Sequence, residues 1–374
     1  MRKFIINFLV FAAPFFILVL PPVYVLKSSG ENFRNIDNVI LSNNKYLIGY
    51  AYNESNYRYI KWKKLFSGDK HTVVAIGSSR VLQFRSGMFN ADFFNAGYAI
   101  RGINEFVPFL SSIPEKKRPN YLIIGLDQWM FNRAWDNLES KPGPHTWSHS
   151  FSKYPDFVTI KSVWYDLLSK KYDLANLSGR IGDDRIGLSA KVNGLGFRND
   201  GSIYYGDRIR RLLSDYQRET EINNASTYDR IREGNDRYSY CDSVNPGALE
   251  QLNQLLLFCR EKQIKVIGFL PPFSDKVNGI LERSGHYKYL SSIYPKAINI
   301  FNRNGFELYD FTCLKYCNSN DNETVDGAHG GELTYLRILI KMLEANSVLN
   351  QVADLKQLRK DIATPLNNFQ VYRQ

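Results

Sequence analysis

The sequence predicts an α/β domain, built on a mostly parallel sheet with helices on both faces and carried behind an N-terminal transmembrane helix. Three observations predict it. Short apolar runs of strand length, at 72–76, 121–126 and 264–270 among others, alternate with helical stretches such as 246–263. Several of these runs stop at small-residue or proline turns: Gly77-Ser78-Ser79-Arg80, Asn95-Ala96-Gly97, Gly125-Leu126-Asp127 and Pro271-Pro272. The chain of 374 residues, 44% of them hydrophobic, is long enough and apolar enough to bury a large core rather than stay disordered.

Taken in order, Met1-Arg2-Lys3 precedes an apolar segment at 4–26, about 23 residues, enough to cross a hydrocarbon core. Pro14, Pro21 and Pro22 are tolerable in a membrane helix near its outer end. Arg2 and Lys3 on the short side predict a cytoplasmic N-terminus and an exported remainder. No small-x-small cleavage site follows, so residues 1–27 are expected to stay as an anchor, not leave as a signal peptide. Residues 28–70 are polar and aromatic without strong periodicity and read as a stalk and lead-in. The α/β domain is expected at 71–346. Its strands fall at 72–76, 93–96, 121–126, 264–270 and 306–311, and its helices at 102–113, 246–263, 286–303 and 332–345. The helix from Pro246 has Pro in its first turn and apolar Leu249, Leu252, Leu255, Leu256 and Cys259. The stretch at about 130–245 interrupts the alternation and reads as an insertion that caps the site. The polar tail, 347–374, reads as peripheral.

Composition narrows the function. The net charge is +11, yet no long basic run, zinc finger or RNA-binding signature is present, which argues against nucleic acid as a partner. The basic excess suits anionic lipids or anionic polymers. Aromatic residues make up 14%, a content that suits carbohydrate or membrane contacts and equally extra packing. Four cysteines without a C-x-x-C pair predict no zinc site. Cys259 sits in a helical apolar stretch and should be buried, whereas Cys313 and Cys317 are close enough for a small-loop disulfide in an oxidising compartment. His145 and His149 share an i, i+4 spacing but lack an accompanying acidic motif, so no metal and no cofactor is expected.

The chemistry-bearing residues lie at strand ends, where open α/β sheets place their sites. Ser79, after the first strand, is the candidate nucleophile, and its amide at a helix start can face an oxyanion. Alone, Ser78 and Ser79 could equally cap a helix. His329 is the candidate general base and Asp326, three residues earlier, its orienter, from a loop that opens the last helix. Asn95-Ala96-Gly97 and Gly125-Leu126-Asp127-Gln128-Trp129 follow the next two strands and could supply oxyanion donors. Arg80 and Arg101 could hold an anionic group or be solvated charges. The segment 196–202 could be a substrate loop or a glycine-rich turn.

The order of these blocks resembles the SGNH (GDSL-like) hydrolase superfamily, whose blocks supply Ser, Gly, Asn and Asp-x-x-His. Ser79 matches the first, Gly97 the second, and Asp326 with His329 the last. Asp127 stands near the place of the family's Asn, and an ionised Asp accepts but does not donate. Gln128 could supply that donor, Asp127 could be structural, or the hole could have two donors. The resemblance implies a flavodoxin-like sheet, a Ser79–His329–Asp326 triad, an oxyanion hole of Ser79, Gly97 and Gln128, and substrate contacts at Arg80, Asp127, Trp129 and Asp200. Within the superfamily the anchor, the Gly-Ser-Ser turn and the Gln-Trp pair are similar to the DltD-like subgroup, membrane-anchored members that work with membrane-bound O-acyltransferases. The likeness covers roughly 70–130 and 245–345. It implies an extracytoplasmic serine acyltransferase that passes an acyl group to hydroxyls of a surface or secreted glycan, with an integral O-acyltransferase as partner. An esterase on the same fold, or a non-catalytic scaffold that binds glycan or partner, remain the alternatives.

Overall fold

The computed structural model describes the chain except Asn43, 136–137, 139–145, 149–153, 173–176, 178–183 and Gln374. The described chain divides into two compact units. One comprises Met1–Asn56, Ser150–Asn199 and Ile203–Asp207, and the other Tyr57–His149, Asp200–Ser202 and Arg208–Gln374.

The first unit begins with α1 (Arg2–Ser29), whose 28 residues extend about 42 Å at 1.5 Å each. It is long and apolar enough to cross a membrane, with Phe8, Phe11, Phe15 and Leu20 exposed along it. Gly30 ends it in the left-handed region, φ 73°, and donates back to the Lys27 carbonyl. The buried Glu31 then ties the helix end down. One carboxylate oxygen accepts from the amides of Ala51 (2.9 Å), Tyr52 (2.7 Å) and Asn53 (3.1 Å), and the other from Leu188 (2.9 Å). Burial raises the Glu31 pKa, and these four amides oppose the rise. Four two-residue strands form a small sheet in the order Arg185–Ile186, Leu47–Ile48, Gly196–Phe197, Ile203–Tyr204.

The second unit is built on β1 (Val73–Gly77), β2 (Phe93–Gly97), β3 (Tyr121–Gly125), β4 (Lys265–Leu270) and β5 (Glu307–Asp310). They form one parallel sheet in the order β2-β1-β3-β4-β5. Because side chains alternate along a strand, the apolar runs feed two cores. Val74, Ile76, Leu122, Ile124 and Val266 pack with Leu252 and Leu256 of α2 (Pro246–Glu261) and with Ile293 and Phe301 of α3 (Tyr289–Asn304). Val73, Ala75, Ile123, Ile267 and Phe269 pack on the other face with Leu336, Leu339 and Met342 of α4 (Glu332–Glu344). Continuous strand hydrophobicity is therefore what burial on both faces requires. All five carboxyl ends meet one edge.

Four expectations change. The stretch at 28–70 is not only a stalk: the helix Asn56–Ser67 packs Trp62 and Leu65 into the first core. The insertion at 130–245 is shared between the units, with Ser150–Asn199 grouped with the N-terminal segment and Arg208 onward with the sheet. The tail at 347–374 is structural, because Leu349, Val352, Val371 and Leu358 of α5 (Leu355–Ala363) close the second core over α4. Its polar composition hid an amphipathic stripe. Cys313 and Cys317 are both free thiols. Cys317 turns into the core, where its thiol donates to the Leu314 carbonyl at 3.2 Å, while Cys313 accepts from the Asn278 amide at 3.3 Å.

If the tail closes the core, Leu358→Ala should cost about 2–5 kcal/mol. The measurement is urea unfolding, where the midpoint should fall with the slope unchanged. A midpoint equal to that of the unmodified protein would mark the tail as peripheral after all.

Candidate active site

The site grows from the carboxyl edge of the sheet. β1 runs into the turn Ser79–Val81, which Ser78 caps: its hydroxyl oxygen accepts from the Arg80 amide at 3.1 Å. Asp326 and His329 do not lie in an open loop. They face each other across a β-hairpin of Thr324–Asp326 and His329–Gly330, joined by Gly327-Ala328. The helix Tyr216–Glu233 contributes Asn224, which accepts from the Gly327 amide, and the Ser274 amide donates to the Gly327 carbonyl at 3.0 Å, so the hairpin turn is held from both sides.

This geometry brings three side chains from two distant segments into one relay. Ser79 Oγ lies 2.8 Å from His329 Nε2, and His329 Nδ1 lies 2.8 Å and 3.0 Å from the two Asp326 oxygens. With its proton on Nδ1, His329 donates to Asp326 and leaves Nε2 free to accept from the Ser79 hydroxyl. Burial would raise the Asp326 pKa, but His329, the Arg208 guanidinium and the Ala328 amide hold the carboxyl well below the usual carboxylate range. Asp326 is therefore ionised wherever the imidazole could act as a base.

Arg208 was not singled out from the sequence. Its Nη2 donates to Asp326 Oδ2 at 2.9 Å, across 118 residues of chain. No local spacing signals it, because it is one arginine in a charged segment. Lys61 was missed for a similar reason. Fully buried, it donates to the Asn95 carbonyl at 3.0 Å and to the Gly201 carbonyl, and burial holds its pKa well below that of an ordinary lysine.

The four residues expected to touch substrate do other work. Arg80 is fully buried. Its Nε donates to the Ala328 carbonyl (3.0 Å), Nη1 to Gln128 Oε1 (2.6 Å) and Nη2 to the Pro271 carbonyl (2.8 Å). Its guanidinium lies between the rings of Trp129 at 5.1 Å and Phe273 at 4.3 Å. Trp129 is thus a wall of the core, stacked on its other side by Arg237 at 5.1 Å. Asp200 is consumed by Arg85, by the Ser86 amide and hydroxyl and by Ser202. The neighbouring Gly201, φ +78°, passes so close to β2 that a Cβ would lie 2.1 Å from the Asn95 carbonyl oxygen. The loop at 196–202 therefore needs glycine for backbone approach and not for substrate. Asp127 is buried with no hydrogen-bond donor in place, and Arg80 Nη1 stands 3.6 Å away. Burial raises its pKa, against the pull of Arg80, Ser78 and Arg237.

Two of the three expected oxyanion donors are likewise engaged. Gln128 spends both amide hydrogens, on the Pro271 carbonyl (2.8 Å) and Thr312 Oγ1 (3.2 Å). The Gly97 amide donates to Asn95 Oδ1 at 2.8 Å, while the Asn95 amide clamps the carbonyls of Val81 and Phe84. Gly97 itself is needed because a Cβ there would stand 2.7 Å from Val81 and Leu82. The Ser79 amide is the donor left without an acceptor among the described residues. A cavity of about 420 Å³ lies away from the triad, beside Asp310, Thr312 and Tyr316. Among the described residues no group of three or more His, Cys, Asp or Glu could hold a metal ion, and His145 and His149 lie outside those residues.

Removing the Arg80 charge should leave Asp127 buried without a counter-ion. Arg80→Met is expected to lose about 3–5 kcal/mol in urea unfolding, and Arg80→Met with Asp127→Asn to recover part of that loss. Strict additivity of the two substitutions would show that the pair is not coupled.

Comparison of the chain with family models, with curated proteins and with solved structures gives no match, so the chemistry of this site is argued from its geometry.

Proposed function

We propose that the chain is a membrane-anchored serine acyltransferase of SGNH type, acting outside the cytoplasm on hydroxyls of a cell-surface or secreted glycan. The observation that carries this reading is the hydrogen-bonded relay Ser79–His329–Asp326. The strand order, second-first-third-fourth-fifth, is that of flavodoxin-like sheets and supports the same reading, as does a first helix able to cross a membrane.

In the proposed reaction His329 Nε2 takes the Ser79 proton as Oγ attacks the carbonyl carbon of an acyl donor. The tetrahedral oxyanion faces the Ser79 amide, the C–O or C–S bond to the leaving group breaks, and the leaving group takes the proton back from His329. An acceptor hydroxyl then attacks the acyl-Ser79 ester while His329 takes its proton. Collapse expels Ser79 Oγ, which recovers that proton. An integral membrane O-acyltransferase would supply the acyl group across the membrane.

A serine-reactive fluorophosphonate should label Ser79 and fail on Ser79→Ala. Initial rates with a chromogenic acyl ester should fall at least about a hundredfold in His329→Ala, with the thermal melt unchanged. Where no ester is turned over, acylation of the surface glycan in cells is the readout. Normal glycan acylation in cells carrying Ser79→Ala would make the protein a scaffold.

Arg208 makes a second, independent expectation. Its guanidinium helps hold the Asp326 carboxyl below the usual carboxylate range, so Arg208→Gln should lower the initial rate with the chromogenic ester several-fold with the thermal melt unchanged. The charged and titratable groups that remain around the pair are Arg80, Asp127, Arg237 and Tyr238. An unchanged rate would remove Arg208 from the catalytic electrostatics.

A further inference from the structure

The helix Phe157–Leu168 packs against α1 within the first unit. Its contact is specific. Pro22 has no N–H, so the Leu18 carbonyl four residues earlier loses its intrahelical donor. The Trp164 indole N–H takes that place, 2.6 Å from the Leu18 oxygen. In hydrocarbon such a carbonyl has no water to turn to, and a donor from a neighbouring helix is what makes a proline tolerable there. Leu18 lies eight residues before Leu26, the last residue of the apolar segment, which is about 12 Å inward along the helix.

The side of the same helix that adjoins Trp164, about 20° away at its nearest edge, is exposed and apolar. Phe157 is 73% exposed, Val158 69%, Tyr165 73% and Leu168 76%. At about 100° per residue these four fall within one stripe roughly 100° wide, with the exposed Lys161 in its middle. The charged residue on the inward side, Asp166, is closed off by the Tyr52 hydroxyl at 2.8 Å and Lys171 at 2.9 Å. A soluble surface rarely carries four large apolar side chains so exposed on three helical turns. The helix that Phe157–Leu168 packs against, α1, likewise exposes large apolar side chains, among them Phe11, Phe15 and Ile17.

We propose that the helix Phe157–Leu168 is a second membrane element. It lies beside α1 in the leaflet next to the C-terminal end of that helix, with Phe157, Val158, Tyr165 and Leu168 among the acyl chains. Lys161 reaches back along its own stem to the headgroups, where anionic lipid suits it. This rests on α1 crossing the membrane. Two elements held together by the Trp164–Leu18 bond fix how the first unit is seated on the bilayer, which one helix free to rotate cannot do.

The full chain is reconstituted into vesicles of phosphatidylcholine and phosphatidylglycerol, with and without bromine on the acyl chains. Flotation of the vesicles reports insertion of α1. The Trp164 contribution to fluorescence is the difference between the unmodified protein and Trp164→Phe, and bromine on the acyl chains should quench at least half of it. Val158→Asp with Leu168→Asp should reduce that quenching at least twofold, with the thermal melt unchanged because both side chains are exposed. A protein that does not float overturns the anchor and this proposal together. A protein that floats with Trp164 unquenched overturns this proposal alone and leaves the stripe as a surface for an integral protein partner. Quenching indifferent to the two aspartates also overturns it, since the stripe would then not meet lipid.

Discussion

The Arg80 guanidinium is the interaction on which the arrangement of the site depends. It begins one residue after Ser79 and ends at three separate segments: the Ala328 carbonyl of the hairpin, the Gln128 side chain after β3 and the Pro271 carbonyl after β4. Its own carbonyl accepts from the Tyr335 hydroxyl of α4. A planar cation with a fixed fork of donors can serve several acceptors at set angles, which a lysine cannot. Water is excluded by Trp129 and Phe273 on its two faces, so each of these bonds is strong and each would be costly to lose. Arg80 thus ties the Ser79 turn to the hairpin that carries His329, and the two loops do not hold that register alone.

Around that pin the site divides its polar groups into those that hold and those that are left open. Asn95, Gln128, Asp200 and Lys61 are spent on carbonyls, amides and guanidinium groups of the surrounding turns. Asp326 accepts from His329, Arg208 and two hairpin amides at once, which keeps it charged in a buried place. What stays open is the Ser79 hydroxyl with its base, and the Ser79 amide. A nucleophile and one amide donor are the minimum for the proposed acyl chemistry.

The first unit solves a different problem with the same physics. The end of a long apolar helix must be fastened to folded chain, and Glu31 does this by collecting four backbone amides from two separate segments. Further up the helix, Pro22 creates an acceptor without a donor, and Trp164 answers it. In both places an acceptor that needs donors, a buried carboxylate or a carbonyl freed by proline, selects the element that packs against it.

The sequence by itself determined the strands and the major helices, and it marked Ser79, Asp326 and His329, which the fold brings into hydrogen-bond contact. Continuous apolar runs buried on both faces, a proline-started helix and small-residue turns are local signals, and Ser79, Asp326 and His329 sit at positions those signals mark. Strand edges fell within one or two residues, from 72–76 expected to Val73–Gly77 observed. What only the tertiary structure decided was the work of each charged or polar side chain. Arg80, Asp127, Trp129 and Asp200 look like substrate contacts because they are polar or aromatic residues near a strand end. Yet whether such a residue faces solvent or core depends on partners up to hundreds of residues away, as the Arg80–Ala328 bond spans 248. The tail escaped for the converse reason, since its apolar side chains are too few to stand out until α4 supplies the face they cover. Arg208 and Lys61 carried no signal at all, because a long-range ion pair or a buried cation leaves no periodicity in the chain that makes it.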